Sequence, residues 1–289
     1  MCFYDTRRHS APARDHATKS CEHSPLPIVI PAAYRRNDYV NRHVMPEGPS
    51  IVILKEAVLS LHLEGQPIRA VSGNSKIDQH VLPGQIVLSF RSWGKHFLVC
   101  FETFTLRIHF LLFGTYRINE RKPSPVRLSL QFATDELNFY ACSVKILDKP
   151  ADEIYDWSSD VMAEEWDAGK ALKKLKNAPH ALCCDALLDQ DIFAGSGNIF
   201  KNEVLFRIRV HPLSHLGALP NAKLEEMVRE VRNYAFEFLH WKKEFTLKKH
   251  WLAHTKKTCP RCQIPFTKAH TGKTNRRSFF CGNCQVLYA

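Results

Sequence analysis

Apolar positions recur with a helical period where the chain first becomes regular. From Pro49 onward they fall at Ile51, Leu54, Val58 and Leu61, and the proline lies in the first turn. Five strand-like runs follow, separated by turn residues, at positions 84–90, 96–101, 105–113, 126–132 and 137–142. Several short strands so close together predict a β-sandwich or a barrel with one flanking helix.

The pattern becomes helical after Pro150. Helical spacing covers residues 151–175 and 187–193, and the glycine turn at residues 195–197 precedes another helix at 198–208. The clearest amphipathic stretch begins at Asn221, with apolar residues at Leu224, Met227, Val228, Val231, Tyr234 and Phe238. We interpret this stripe as core packing. Strands followed by helices predict an α+β protein.

Composition narrows the function classes. Hydrophobic residues make up 45% and charged residues 24% of the 289 positions, which is typical of a globular protein. The longest apolar stretch, residues 97–113, is interrupted by Glu102 and Arg107, so we expect no transmembrane helix. The formal charge is +11, and the last 49 residues hold eleven of the basic side chains and one acid. This balance favours nucleic acid as partner, with an anionic membrane surface second and a basic enzyme without such a partner as the alternative.

Residues 1–44 show no periodicity. They contain seven basic and four acidic side chains, which is only a fair match to a transit peptide, and they lack the apolar core of a signal peptide. We interpret them as a disordered extension outside the mature protein. Without a signal peptide, we expect the ten cysteines to be in a reducing compartment. The protein would therefore be intracellular, in the cytoplasm or nucleoid, or in the nucleus of a eukaryote.

Four of the cysteines have the spacing of a zinc site. Cys259 and Cys262 form one C-x2-C pair, Cys281 and Cys284 form another, and eighteen residues separate the pairs. Two such pairs can complete a tetrahedron of thiolates, which predicts one structural Zn²⁺. A dithiol redox pair and chance are the alternatives.

Two further motifs are weaker indications of function when each is taken alone. The turn at residues 195–197 brings Asn198 to a helix N-terminus, whose free amides can bind a phosphate, although a plain helix connection has the same pattern. Basic side chains lie between the cysteine pairs, at Lys268, His270, Lys273, Arg276 and Arg277. A metal-pinned hairpin could present them to DNA, and a solvated basic face is the alternative.

Together with these features, three short motifs point to a family. They are Met45-Pro46-Glu47-Gly48-Pro49, Gly94-Lys95, and Leu188-Asp189-Gln190 ahead of Gly195-Ser196-Gly197-Asn198-Ile199 and Asn202-Glu203. With the terminal cysteines, they make residues 45–289 resemble the formamidopyrimidine-DNA glycosylase/endonuclease VIII family. The Pro-Glu-Gly-Pro stretch is more similar to the endonuclease VIII branch.

The resemblance implies three catalytic residues. Pro46, exposed by removal of the initiator Met, would be the nucleophile, Glu47 a proton shuttle and Lys95 the second catalytic cation. The chemistry suits these residue types, because a chain-terminal amine titrates at about 8 and a lysine at about 10.4, so far more of the former is free at neutral pH. Its attack on a deoxyribose C1′ yields an iminium. Ser50 stands where the family usually has Glu.

The resemblance also implies the DNA contacts. Asn198 and Arg276 would bind phosphates, with Arg277 as the second choice in the hairpin. Leu111, Leu112 and Phe113 match the stretch that the family inserts into the duplex, and apolar wedges suit that task. A buried strand is the alternative for these three residues.

Pro46 lies inside the chain as printed, where its nitrogen is an amide and cannot attack. We expect translation to begin at Met45. The alternatives are removal of residues 1–45, or a protein that is inactive by this route.

The expected fold is therefore α+β in three parts after the extension 1–44. They are a catalytic β-sandwich with a flanking helix at 45–150, a helix–two-turn–helix domain at 151–250 and a zinc finger at 251–289. The expected function is that of a bifunctional DNA glycosylase and abasic-site lyase. We expect a monomer that acts on double-stranded DNA containing oxidised bases, pyrimidines first, or abasic sites, and that has no membrane partner. Oxidised purines are one alternative. A catalytically silent binder of damaged DNA is the other.

Overall fold

The computed structural model describes residues 46–289, so the extension predicted at 1–44 lies outside the described residues. Within this range, no helix is long and apolar enough to cross a membrane. The described α-helices are α1 (Gly48–Leu59), α2 (Ala151–Ile154), α3 (Ala168–Lys176), α4 (Cys183–Ala186), α5 (Asn198–Arg207) and α6 (Asn221–Lys243). The strands are β1 (Ala70–Ser72), β2 (Ser89–Trp93), β3 (His96–Cys100), β4 (Thr105–His109), β5 (Thr115–Ile118), β6 (Leu128–Gln131), β7 (Glu136–Tyr140), β8 (Ser143–Leu147), β9 (Thr267–Thr271) and β10 (Arg276–Phe280).

The first eight strands form a sandwich of two antiparallel sheets. Their orders are β1-β6-β7-β5 and β2-β3-β4-β8. Alternate side chains of both sheets meet in one apolar core that contains Phe97, Ile108, Leu130 and Phe139. Sequence patterning missed β1, β5 and β8, because these edge strands are only half-buried and lack a continuous apolar face.

Helix α1 closes one side of this sandwich and connects it to the helical half. Pro49 lies in the first turn, where the missing N–H costs nothing, as the pattern predicted. Its buried residues include Ile51, Leu54 and Val58. The helix packs against β2, β3 and α6, so its N-terminus is held between the two halves of the molecule.

The helical half has a second apolar core around α5 and α6. Met227, Val231 and Tyr234 are fully buried there, which agrees with the packing role expected for the α6 stripe. The helical pattern predicted over 151–175 is only partly right, because α2 and α3 are α-helical and a short 3-10 turn, Trp157–Ser159, lies in the segment between them. The Asp160 side chain accepts hydrogen bonds from the backbone N–H groups of Gly94 and Met162, which holds the intervening segment in a path that is not α-helical.

The helix predicted at 187–193 is wrong. α4 ends at Ala186, and the residues after it form turns that lead into the glycine turn. Asp189 caps this segment, since its carboxylate accepts the N–H of Asp191 at 2.9 Å. A short polar cap therefore replaces a further helical turn.

The C-terminal hairpin consists of β9 and β10, paired in register from Arg276 opposite Thr271 to Phe280 opposite Thr267. Phe206 and Phe266 join the buried cysteines in a small core beneath it. The hairpin packs against α5. The α+β class, the sandwich, the helical region and the cysteine-bearing hairpin are confirmed, and we propose the boundaries 45–150, 151–250 and 251–289 for these three parts.

Candidate active site

Three sequence-distant segments meet at the junction of the two halves. The N–H of Gly48 donates to the Gly195 carbonyl at 2.9 Å. A Cβ on Gly48 would lie 2.9 Å from the Gly195 Cα, and one on Gly94 would lie 3.0 Å from the Gly195 nitrogen. Backbones this close exclude any side chain. The glycines therefore bring the Pro46-Glu47, Gly94-Lys95 and Gly195–Asn198 motifs together.

The Glu47 side chain is 1% exposed and points at the N-terminus of α5. Its Oε1 accepts the N–H of Ile199 at 2.8 Å, and its Oε2 accepts the N–H of Phe200 at 3.4 Å. Free amides and the helix dipole both favour a carboxylate in this position. A Cβ on Gly197 would lie 2.6 Å from Glu47 Oε1, so the glycine leaves the space that the carboxylate occupies.

Ser50 fixes the backbone of Glu47. Its hydroxyl accepts the Glu47 N–H at 3.4 Å, and its own N–H donates to the Glu47 carbonyl at 2.8 Å. This is a capping arrangement at the start of α1. The serine thus contributes a hydroxyl, and no carboxylate, at the position where the family usually has Glu.

Glu47 and Lys95 shift each other's pKa. Burial raises the pKa of Glu47, while the Lys95 cation and the α5 amides act in the opposite direction. Burial lowers the pKa of Lys95, Glu47 opposes that change, and Arg276 adds to it. Because the pKa of the carboxyl is raised and that of the amine is lowered, the two groups are suited to exchange a proton near neutral pH.

These groups line one open cleft of about 400 Å³. Its lining consists of Pro46, Glu47, Lys95, His109, Leu111, Leu112, Leu188, Gly197, Asn198, Thr274 and Arg276. Seven of the residues to which the sequence assigned a catalytic or DNA-binding role therefore line one cavity. Arg277 and Phe113, also singled out, are exposed and lie outside this lining.

Three lining residues were not expected from the sequence. His109 ends β4 directly before the apolar stretch 110–113, and that position was a usable signal. Leu188 belongs to a motif that contributed to the family resemblance but received no role. Thr274 lies in the turn between β9 and β10, where nothing in its surroundings distinguishes it from an ordinary turn residue.

Asp160 supports the turn that carries Lys95. Its Oδ2 accepts the N–H of Gly94 at 2.9 Å, and Oδ1 accepts the N–H of Met162 at 2.9 Å. Burial raises the pKa of Asp160 to about 6, with the two amides opposing the shift. The carboxyl therefore links the helical half to the strand hairpin beside the site. No sequence motif pointed to it.

The apolar stretch after β4 leaves the sheet. The strand predicted over 105–113 ends at His109, and Leu111 has a left-handed backbone with φ of 55°. The side chains of Leu111, Leu112 and Phe113 are 52%, 45% and 75% exposed. A buried strand is thus excluded for these three residues, and they form an exposed apolar tip at the cleft.

Side chains of α5 hold the hairpin beside the cleft. Asn198 Nδ2 donates to the Arg277 carbonyl at 3.1 Å, which leaves its second N–H for another acceptor. Arg276 is half-buried and lines the cleft, whereas Arg277 is exposed. The Arg276 guanidinium lies near enough to Lys95 and Lys201 to lower the pKa of both. Positive charge is therefore concentrated where a phosphate would enter.

The four predicted cysteine ligands converge. The Sγ atoms of Cys259, Cys262, Cys281 and Cys284 all lie within 4.8 Å of one another. Tetrahedral Zn–S bonds of about 2.3 Å place sulfurs about 3.8 Å apart, and the Cys259 and Cys284 sulfurs are separated by 3.8 Å. Asn283 Nδ2 donates to Cys262 Sγ at 3.3 Å, as expected around a thiolate ligand. The donor set and its geometry can hold a metal ion.

Two family models match the chain in order. One, described as the formamidopyrimidine-DNA glycosylase N-terminal domain, matches residues 45–142. The other, described as the formamidopyrimidine-DNA glycosylase H2TH domain, matches residues 158–245. They cover the sandwich and the helical half, respectively.

Curated relatives are similar over most of this chain. Endonuclease 8-like 3 of Xenopus laevis is 28% identical, and the match covers 78% of this chain and 39% of the relative. Endonuclease 8-like 3 of Homo sapiens is 26% identical, and the match covers 83% of this chain and 46% of the relative. Endonuclease 8-like 2 of Bos taurus is 32% identical, over 62% and 58%. The chain thus spans less than two thirds of the length of these relatives.

Solved structures share the fold. A viral DNA glycosylase superposes with a TM-score of 0.71 at 20% identity, over 83% of this chain and 100% of the other. The Lactococcus lactis formamidopyrimidine-DNA glycosylase, non-covalently bound to DNA with an abasic site, gives 0.71 at 19% identity, over 83% and 99%. With both domain models matched in order and the motifs gathered at one cleft, the chain belongs to the formamidopyrimidine-DNA glycosylase/endonuclease VIII family of DNA glycosylases.

Proposed function

We propose that this protein excises oxidised bases from DNA and cleaves the resulting abasic site, with Pro46 as the nucleophile. The observation that carries the proposal is the meeting of Pro46, Glu47 and Lys95 in one cleft with Asn198 and Arg276. An amine, a buried proton carrier and a cluster of cations are the groups that attack at a sugar carbon requires.

The first step would be attack of the Pro46 nitrogen on C1′ of the damaged nucleotide. As this bond forms, the C1′–O4′ bond breaks and O4′ takes a proton, which Glu47 would deliver, since burial raises the pKa of its carboxyl. The Pro46 nitrogen then loses its own proton, and its lone pair expels the base from C1′ with the bonding pair, which gives an iminium between Pro46 and C1′. The proton lost by the nitrogen restores the neutrality of the base.

Elimination would follow from the iminium. Loss of a proton from C2′ sends an electron pair toward the positive nitrogen, and the 3′ phosphate leaves. A second elimination expels the 5′ phosphate, and water releases the sugar remnant from the proline. Lys95 faces the same cleft, where its ammonium can stabilise a departing phosphate.

DNA would be bound by phosphate contacts from Asn198 and Arg276. The non-specific part of the DNA affinity would then come from the neutralised phosphate charges, and it would fall as the salt concentration rises. A base must leave the stack before C1′ can be attacked. The tip formed by Leu111, Leu112 and Phe113 would fill the space left behind, and the exposure of these apolar side chains supports that role. We propose Zn²⁺ as the metal at the four cysteines, where it would only pin the hairpin that carries Arg276.

Oxidised pyrimidines are the substrates we favour. The Pro-Glu-Gly-Pro stretch that begins at Pro46 supports this choice, as does the similarity to endonuclease 8-like relatives. Oxidised purines remain the alternative, and a panel of duplexes with single defined lesions distinguishes the two.

The nucleophile is tested by trapping with borohydride on abasic DNA. Protein that begins at Pro46 should give a covalent adduct, because reduction converts the iminium to a stable amine, and mass analysis should place the DNA on the N-terminal peptide. The 289-residue chain should give none, since its Pro46 nitrogen is an amide.

Two variants separate the roles. Glu47→Gln should retain trapping at a preformed abasic site but lose base excision, whereas Lys95→Ala should impair strand cleavage and keep the adduct. Equal trapping by the 289-residue chain would make a lysine the nucleophile and overturn the assignment of Pro46. Binding of damaged DNA without any adduct, by either form, would instead indicate a catalytically silent binder.

A further inference from the structure

A lysine is completely buried at the junction between α5 and the hairpin. Lys201 is 0% exposed, although lysine is rarely found fully buried without a partner. Its ammonium has three donors and three acceptors within reach, namely Ser278 Oγ at 2.8 Å, the Arg277 carbonyl at 3.3 Å and the Arg276 carbonyl at 3.4 Å. All three acceptors belong to strand β10.

The neighbouring residues on the same face of α5 reinforce this contact. Asn198, Lys201 and Asn202 are spaced i, i+3 and i+4, and all three donate to the carbonyl of Arg277. Asn202 Oδ1 also accepts the N–H of Phe279 at 2.8 Å. Among these three, only Lys201 also contacts the Arg276 carbonyl, so it is the member of the set that reaches the arginine in the cleft.

We propose that Lys201 is a positioning residue that fixes the backbone of β10 so that the Arg276 side chain enters the cleft. This inference rests on the phosphate-binding role of Arg276 under the proposed function. Pairing with β9 fixes the register of β10. The contacts of Lys201 with three successive residues, 276 to 278, fix in addition how the strand lies against α5, and this sets the direction of the arginine side chain.

The charge of the side chain explains why a lysine suits this buried position. Three oxygens converge on one point, and an ammonium can donate to all of them, which an apolar side chain cannot do. Burial lowers the pKa of Lys201 to about 8, and Arg276 adds to that effect, while Cys184, Asp185 and Glu47 oppose it. The side chain is therefore largely charged at pH 7 and loses its charge as the pH rises through about 8.

The main test compares Lys201→Met with Lys223→Met. Lys223 is a matched control, because its ammonium also bonds a backbone carbonyl, that of Ile208 at 2.7 Å, but lies away from the hairpin. Affinity is measured for a duplex with a tetrahydrofuran abasic analogue, at several salt concentrations. Lys201→Met should weaken binding about 10-fold and flatten the salt dependence by about one phosphate contact, with the zinc content unchanged. Lys223→Met should bind like the parent.

A double variant shows whether Lys201 acts through Arg276. In an Arg276→Ala background, Lys201→Met should weaken binding by less than about 2-fold, because the side chain it positions is gone. Multiplicative effects of the two changes would overturn the inference. A parent-like affinity of Arg276→Ala would overturn the phosphate role of Arg276, and would thereby identify the proposed function as the step that fails.

Ser278→Ala provides a milder variant should Lys201→Met fold poorly. It removes the nearest acceptor, so binding should weaken about 3-fold and only when Arg276 is present. The pH profile is a further readout, since affinity of the parent should fall between pH 7 and pH 9 more steeply than that of Lys201→Met. Lys95 is present in both proteins, so the difference between the profiles belongs to Lys201. Identical profiles together with a parent-like Ser278→Ala would refute the proposal.

Discussion

Gly197→Ala should slow base excision by displacing the Glu47 carboxylate. The backbone at Gly197 has φ of −137° and ψ of −157°, an extended conformation that alanine also adopts, so the substitution strains no torsion. The added Cβ, however, would lie 2.6 Å from Glu47 Oε1 and 2.7 Å from its Cδ, where ordinary contacts begin at 3.4 Å. The carboxylate must retreat by about 0.8 Å from the α5 N-terminus.

The magnitude follows from the hydrogen bonds that this retreat breaks. The Ile199 N–H to Oε1 distance of 2.8 Å would grow to about 3.6 Å, which is no longer a hydrogen bond. The Glu47 carboxyl becomes charged as it gives up its proton, and a hydrogen bond to a charged group contributes about 1.5–3 kcal/mol. If Glu47 must hold this position in the transition state, excision should slow about 10- to 100-fold, since 1.36 kcal/mol is tenfold in rate.

The assay is single-turnover excision of an oxidised pyrimidine from a duplex, by protein that begins at Pro46. Gly282→Ala is the matched control, because a Cβ there meets nothing within 4 Å. Trapping at a preformed abasic site and affinity for the abasic analogue should stay within about 3-fold of the parent in both variants, because neither step needs the Glu47 proton. Excision by Gly197→Ala at the rate of Gly282→Ala would refute the role given to the Glu47 position.

Three further predictions concern the rest of the site. Cys281→Ser, or removal of the metal by a chelator, should release about one Zn²⁺ per chain and weaken DNA binding. Elemental analysis measures the first effect and a binding isotherm the second. Protein that is purified without chelator and contains no zinc would refute the metal site. Phe113→Ala should lower affinity for lesion-containing duplex but not for single strands, and should leave the melting temperature unchanged because the side chain is 75% exposed; equal loss on both DNAs would contradict a wedge. Asp160 has a raised pKa of about 6, so its neutral form favours the folded state: its contribution to the free energy of unfolding should be greatest below pH 4 and fall as the pH rises to about 6. Urea unfolding from pH 4 to pH 7 should show that Asp160→Asn lacks this component, and parallel pH dependences of the two proteins would contradict it.

Local chemistry was readable from the sequence because it depends on short spacings. The two C-x2-C pairs predicted a metal site, and their sulfurs do converge. The apolar periods of α1 and α6 predicted helices that are present, and the alternating runs predicted a sandwich that has two four-stranded sheets. The short motifs identified the family, and the two domain models confirm it.

The sequence pattern failed where a distant contact overrides local preference. Residues 151–175 have a helical period, yet the Asp160 carboxyl bonds an amide 66 positions away and interrupts the helix. Residues 110–113 read as part of a strand, but β4 ends at His109 and residues 111–113 turn outward at the cleft. Both differences have the same origin. The spacing of apolar residues does not encode hydrogen bonds to distant parts of the chain, and it does not encode which residues lie at the protein surface.

The sequence alone determined which residue types are available for the chemistry, and the tertiary structure decided which of them meet. Glu47 and Ile199 are 152 positions apart, and only close packing of glycine backbones brings the carboxylate onto the α5 amides. Lys201 carries no motif signal of its own, since a lysine within a helix is usually solvated, and its three contacts with β10 exist only because the hairpin packs on α5. Burial then sets the direction in which each pKa moves, and burial is a property of the folded chain.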